Sequence, residues 1–312
     1  MSVRRMRVAV LGRTRMLLEA TKHLVARGHT VPIVATCRPV AEYGVGEADF
    51  EALARDLGAR FLLTETLNDE NVVASLRDSQ SDVAVSVSWV NKIGAAAIAA
   101  FPFGILNVHG GDLPRYRGNA PFAWAILNGE GHVGITVHLM DGGDVDSGPI
   151  VRKHIVPLST NTYIGDLYAR LEEVTPGLLV EAAEDLVRGA VVPTPQEGDV
   201  LRCYPRRPED GRIDWGKDAS AVARLVRASA EPFAGAFCEH RGKRLVVWRA
   251  HSEPWTVQSL AVPGQVVTRR TGDGSVLVAT GNGLLALELV SLGVEDRVSP
   301  AEVIRSLRDR LA

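Results

Sequence analysis

Over residues 7–127, short apolar or β-branched runs alternate with segments whose apolar residues recur at helical spacing. Arg7–Leu11, Val31–Ala35, Arg60–Leu63, Asp82–Val87 and Ile105–His109 read as strands. Helices are expected after Thr14 and over Phe50–Leu57, Asp69–Arg77, Ala95–Ala100 and Pro121–Leu127. In the first helix Leu17, Leu18, Thr21, Leu24 and Val25 share one face, with Thr14 suited to cap it and Gly28 to end it. A helix between successive strands makes each connection a crossover. The alternation therefore predicts an α/β fold: a Rossmann-like, mostly parallel sheet with helices on both faces.

From Val133 the pattern changes. Val133–Met140 and Ile150–Val156 are apolar runs joined by an acidic, glycine-rich turn, Asp141–Gly148. A long helix is expected from Thr162 to Val187, broken or restarted at Pro176 and ended by Gly189. Pro193, Pro195, Pro205 and Pro208 mark a linker. Beyond it lie one helix, Ala219–Ala228, and five short strands: Ala234–Glu239, Leu245–Ala250, Gly264–Thr268, Val276–Thr280 and Leu284–Leu289. Gly281-Asn282-Gly283 suits a tight hairpin. A small C-terminal β-barrel, OB-like, is expected, closed by a helix over Pro300–Leu311. The expected domains are 1–200 and 206–312.

A net charge of −2 argues against a general nucleic-acid binder. Cys37, Cys203 and Cys238 are sparse and form no CxxC pair, which fits a reducing compartment. The N-terminal apolar run is too short for a signal segment and no run is long enough to span a membrane, so a cytoplasmic protein is expected.

Several chemistries lack their signatures. Gly12 is followed by Arg-Thr-Arg-Met rather than by further glycines, so a dinucleotide fingerprint is missing. No GxxxxGK[ST], HExxH or GxSxG occurs, and no metal is expected. What stands out is Ile105–Ile150, which holds Asn107, His109 and Asp146. Residues two apart on a strand face the same side, so Asn107 and His109 address one volume. That volume lies at a strand's carboxyl end, where open α/β sheets bind ligands. An amide that steadies an oxyanion beside an imidazole that takes a proton suits acyl transfer to an amine. A lone histidine is more often structural, and an aspartate among glycines more often a turn former. It is the three together that point to catalysis, with Asp146 expected to orient the imidazole and raise its pKa.

Asn107-Val-His109, then Leu113-Pro114, Tyr116 and Gly118, then Asp146-Ser147-Gly148, resembles the folate-dependent formyltransferases. The likeness continues at Arg206–Trp215 and Pro232–Phe237, so it spans nearly the whole chain. It implies an enzyme that moves a formyl group from 10-formyltetrahydrofolate, its co-substrate, to a primary amine. It implies catalytic roles for Asn107, His109 and Asp146. It also implies cofactor contacts from Ser88, Trp89, Val90 and Ile93, from Gly111, Asp112, Leu113, Pro114 and Asn119, and from Asp141, Gly142, Gly143, Asp144 and Val145. Trp89 reads equally well as a core aromatic. Two departures stand near the site: Gly111-Asp112 replaces the family's Ser-Leu, and Asn119 stands where the sugar enzymes carry arginine.

The acceptor is expected to be a small amine, above all a nucleotide-linked amino sugar, with Lys92, Arg115, Tyr116 and Arg117 as candidate contacts. The segment 35–53 is short and acidic where the tRNA enzymes carry a basic insertion, which disfavours nucleic acid. The alternatives are methionyl-tRNA formylation, formylation of a hydroxyornithine in siderophore assembly, and a non-catalytic folate- or RNA-binding module. No membrane partner is expected; a homodimer is possible.

Overall fold

The computed structural model describes residues 5–38, 44–256, 260–293 and 296–312. Residues 39–43, inside the acidic segment, lie outside that set. The chain divides into two compact units. The first takes residues through Pro121, then His132–Val156 and Tyr168–Cys203; the second takes Phe122–Gly131, Pro157–Leu167 and Tyr204–Ala312. Among the described residues no helix is long and apolar enough to cross a membrane, and the three cysteines are free and buried.

The first unit is built on a seven-stranded sheet. Its strands are β1 (Val8–Gly12), β2 (Ile33–Thr36), β3 (Arg60–Leu63), β4 (Val83–Val87), β5 (Ile105–His109), β7 (His132–Leu139) and β8 (Ile150–Pro157), ordered β3-β2-β1-β4-β5-β7-β8. The first five pair in parallel, and β7 joins β5 antiparallel. Helices α1 (Arg15–Ala26), α2 (Glu47–Leu57), α3 (Glu70–Asp78) and α4 (Ala95–Ile98) fill the crossovers. Thr14 caps α1, its hydroxyl accepting from the Leu17 N–H. One core lies where Leu11, Ile33, Ala84 and Ile105 from the sheet meet Val73, Leu76 and Ala97 from α3 and α4. Helix α5 (Pro121–Asn128) follows the loop that carries a two-residue strand, β6 (Arg117–Gly118).

Helix α6 (Ile164–Val187) runs unbroken through Pro176, against the expected interruption. A helical proline forfeits a hydrogen bond and costs about 3 kcal/mol. Leu178, Leu179, Val180, Ala182, Ala183 and Leu186 lie buried just beyond it. At roughly 1.5–3 kcal/mol for each large apolar side chain, their burial outweighs that loss.

The second unit holds a five-stranded antiparallel sheet. Its strands are β10 (Ala236–His240), β11 (Lys243–Glu253), β12 (Val266–Arg269), β13 (Val276–Ala279) and β14 (Leu284–Leu292), ordered β10-β11-β14-β13-β12. Helix α7 (Ala219–Ser229) buries Val222 and Val226 against it. The expected C-terminal helix is a single turn, α8 (Pro300–Val303), after which the chain extends. Leu311 donates to the Gly264 carbonyl, while Ala312 and Glu239 exchange two backbone bonds. The tail thus bridges β10 and the start of β12, the two edges of the sheet. Edge strands present unpaired backbone groups, and satisfying them here overrides the tail's helical periodicity.

Candidate active site

His109 closes β5, and Asn107 precedes it by two residues on the same face. Register sets Asn107 opposite His138 and His109 opposite Thr136 on β7. Asp146 arrives from the turn after β7. Its carboxylate Oδ2 lies 3.3 Å from His109 Nδ1 and Oδ1 lies 3.5 Å from His138 Nε2. The three side chains singled out in the sequence therefore converge.

Two residues in the left-handed region serve this histidine. Tyr116, at φ +62°, turns its carbonyl to within 2.6 Å of His109 Nε2. That oxygen only accepts, so it fixes the proton on Nε2 and leaves Nδ1, beside Asp146, as the nitrogen that can gain or lose one. Asp146 itself sits at φ +57°, and the Gly118 N–H donates 2.9 Å to its Oδ2. Aspartate tolerates this conformation better than most residues, yet it persists only where surrounding bonds over-determine it. Gly111 is required by closeness rather than by φ. A Cβ there would lie 2.5 Å from His109 Nε2 and 2.7 Å from the Tyr116 carbonyl, inside their hydrogen bond.

Burial would raise the Asp146 pKa. The His138 ring 3.5 Å away, the positive charge His109 can carry and the Gly118 N–H together hold it at about 2. Burial lowers that of His109 and outweighs the raising effects of Asp146 and the Tyr116 carbonyl, with His138 lowering it further. This corrects the expectation that Asp146 would leave it raised: desolvation of the imidazolium is the larger effect. Near neutral pH the pair is a neutral imidazole beside a carboxylate, the form needed of a base.

His138 was not singled out in the sequence. Its Nδ1 lies 3.0 Å from the Leu139 carbonyl, so that nitrogen carries the proton and Nε2 accepts from Asn107 Nδ2 at 3.2 Å. One amide hydrogen of Asn107 is thereby anchored, and its NH₂ faces the site in a fixed sense.

The other candidates divide. Asp112 is held by Lys153 Nζ at 2.6 Å and His132 Nε2 at 3.0 Å, so it braces its loop rather than offering a free charge to a ligand. Leu113 is buried, and Ile93 packs into the sheet core. Trp89 packs partly against that core, as a core aromatic does. Tyr116 is buried and contributes its carbonyl. The Arg117 guanidinium donates to Gln196 rather than standing free for phosphate. Ser88 has φ +55° and its carbonyl accepts from Arg13. Asp141 ties its own turn by accepting from the Gly143 N–H and the Ser147 hydroxyl. Pro114 and Gly142 are half-buried; Lys92, Arg115, Asn119, Gly143 and Asp144 are exposed. Val90 and Val145, each 42% exposed, present apolar surface on two of the segments expected to contact the cofactor. Exposed apolar side chains suit a flat heteroaromatic ring.

Comparison with known proteins extends the picture to the whole chain. The formyl transferase family matches residues 6–183, and the formyl transferase C-terminal domain matches 206–308. A methionyl-tRNA formyltransferase of Chloroflexus aurantiacus is 34% identical over 294 residues, covering 92% of each chain. Among solved structures, a Helicobacter canadensis N-formyltransferase in complex with folinic acid and dTDP-3-aminofucose aligns at TM-score 0.66 and 14% identity, over 91% of this chain and 99% of that one. HypX from Aquifex aeolicus in complex with tetrahydrofolic acid aligns at TM-score 0.61 and 20% identity over 97% of this chain. The chain spans 47% of that larger HypX protein. These two structural likenesses show a shared fold; the match of both domains and the sequence identity show more: the chain belongs to the formyl transferase family and is a folate-dependent formyltransferase.

Proposed function

We propose that this enzyme transfers the formyl group of 10-formyltetrahydrofolate to the amine of methionyl-tRNA. The observation that carries the chemistry is His109 Nδ1 lying 3.3 Å from Asp146 Oδ2, with Nε2 engaged by the Tyr116 carbonyl. The amine nitrogen attacks the formyl carbon, and negative charge gathers on the formyl oxygen. Asn107 Nδ2 donates to that oxygen, a contribution typically of about 10²–10³ in rate. His109 Nδ1 takes the amine proton, and the imidazolium so formed faces the Asp146 carboxylate. The proton then passes to the departing folate nitrogen as its bond to carbon breaks, leaving a formamide and tetrahydrofolate.

For the acceptor, sequence favours the reading held above as the alternative. Relatives matching almost end to end are methionyl-tRNA formyltransferases, whereas the likeness to sugar formyltransferases is one of fold at 14–20% identity. Charge distribution agrees. Residues 206–312 carry 16 Lys and Arg against 13 Asp and Glu, although the whole chain is net −2. A local basic surplus is what binding to phosphates needs. The short acidic segment 35–53 is the observation that favours a nucleotide-linked amino sugar instead.

The two readings are separated by offering methionyl-tRNA and a dTDP-linked amino sugar in parallel with 10-formyltetrahydrofolate. Product mass and tetrahydrofolate release are the readouts. Formylation of methionyl-tRNA, with affinity falling steeply between low and moderate salt, supports the proposal. Turnover of the sugar alone refutes it.

A further inference from the structure

Gln196 lies between the stretches that match the two family domains, 6–183 and 206–308. In the sequence it belongs to a proline-bounded linker. In the structure, residues 194–203 form a strap across the loops of the site within the first unit. Thr194 exchanges two backbone bonds with Ile150, and Arg202–Cys203 (β9) pairs in parallel with β6.

Gln196 is the polar centre of this strap. Its Nε2 donates 2.7 Å to the Asp146 carbonyl and 2.7 Å to the Gly148 carbonyl. Its Oε1 accepts from Arg117 Nε at 2.9 Å and from Arg117 Nη2 at 2.7 Å. Both amide hydrogens and both lone pairs are therefore used, and only one orientation of the amide satisfies them.

The bonds close a ring around the carboxylate. Gln196 holds the main chain of Asp146 in its left-handed conformation and grips Arg117. The next residue, Gly118, gives the N–H that fixes Asp146 Oδ2. Gly148, the other end of the clasp, cannot carry a side chain, since a Cβ would lie 1.8 Å from the Leu139 carbonyl. The turn is thus clamped at a position that admits little adjustment.

We infer that Gln196 is a positioning residue for the reaction: its amide donors set where the Asp146 carboxylate stands against His109. The inference rests on Asp146 being the carboxylate of the catalytic site. It does not depend on which amine is formylated. Gln196→Glu isolates the donors. It is nearly isosteric and strengthens the link to Arg117, but it offers oxygens to the Asp146 and Gly148 carbonyls where NH₂ stood.

The test is steady-state formyl transfer by the full chain, with folding followed by thermal melting. Gln196→Glu is expected to lower kcat about 10–100-fold, the usual loss when an orienting partner is removed. KM for the formyl donor should stay within about twofold of wild type. Arg117→Ala, which leaves the donors but frees the amide to turn, is expected to give a smaller fall in kcat with the same unchanged KM. A Gln196→Glu enzyme with wild-type kcat overturns the inference. So does a loss in Gln196→Glu that tracks a lowered Tm while Arg117→Ala behaves as wild type, because the strap then braces the fold alone. If the catalytic reading itself is wrong, Asp146→Asn keeps wild-type turnover, an outcome distinct from either.

Discussion

Replacing Asp146 with asparagine keeps the shape of the site and removes one charge. An asparagine carbonyl still accepts the Gly118 N–H, so the turn should hold. What is lost is the attraction between a carboxylate and the imidazolium formed during turnover. At the 3.3 Å separation and an effective dielectric constant of about 20, that attraction has a ceiling near 5 kcal/mol. An opposing charge this close usually moves a pKa by roughly 1–3 units, or about 1.4–4 kcal/mol. A fall in kcat of about 10–10³ is therefore expected. The pH profile adds a sign. The neutral imidazole is the base, so kcat/KM rises with pH through the His109 pKa. Asp146 raises that pKa against the larger lowering by burial. Without the charge, the ascending limb should move to lower pH while the plateau drops. Stopped-flow measurement of tetrahydrofolate release from pH 4 to 9 reads both. A plateau within threefold of wild type, or a limb displaced to higher pH, refutes the reasoning.

Asn107→Ala should lower kcat by about 10²–10³ while leaving binding of a folate analogue nearly intact, because its donor acts on charge that appears only during reaction; calorimetric titration beside kinetics checks this. Acid should weaken the fold through Asp146. Its pKa falls from 3.8 to about 2 on folding, so about 2 kcal/mol of stability is present above pH 4 and lost as pH drops toward 2. Urea melts across that window should show the slope, and Asp146→Asn should flatten it. Leu311→Ala, deep in the core of the second unit, should cost about 2–5 kcal/mol, and an unchanged urea midpoint would contradict the packed tail.

The parallel sheet was legible because alternation and burial agree at nearly every strand, and Ile105–His109 runs as read. The antiparallel placement of β7 beside β5 was not. It depends on a pairing across an intervening helix, which no local period encodes. For that reason Asn107, His109 and Asp146 could be found by residue type, but His138 could not. A histidine inside an apolar strand gains meaning only once it is known to lie opposite Asn107. Gln196 gave no signal, since its work is done through backbone carbonyls that any residue could supply. Nor could spacing reveal that the His109 pKa ends up lowered, because desolvation is a property of the assembled surroundings. The C-terminal helix failed for a related reason: its apolar rhythm was genuine, but open sheet edges competed for the same backbone.

The contact between the Tyr116 carbonyl and His109 Nε2 leaves the imidazole with a single port. A histidine with two open nitrogens can take a proton on one side and deliver another on the opposite side. Here, on the proposed mechanism, arrival and departure share Nδ1. The incoming amine and the outgoing folate nitrogen must therefore visit the same spot in turn. The tetrahedral carbon has to pivot between them while Asn107 keeps hold of its oxygen, and a rigid analogue that locks this swing at either extreme is the form of inhibitor the site should bind best.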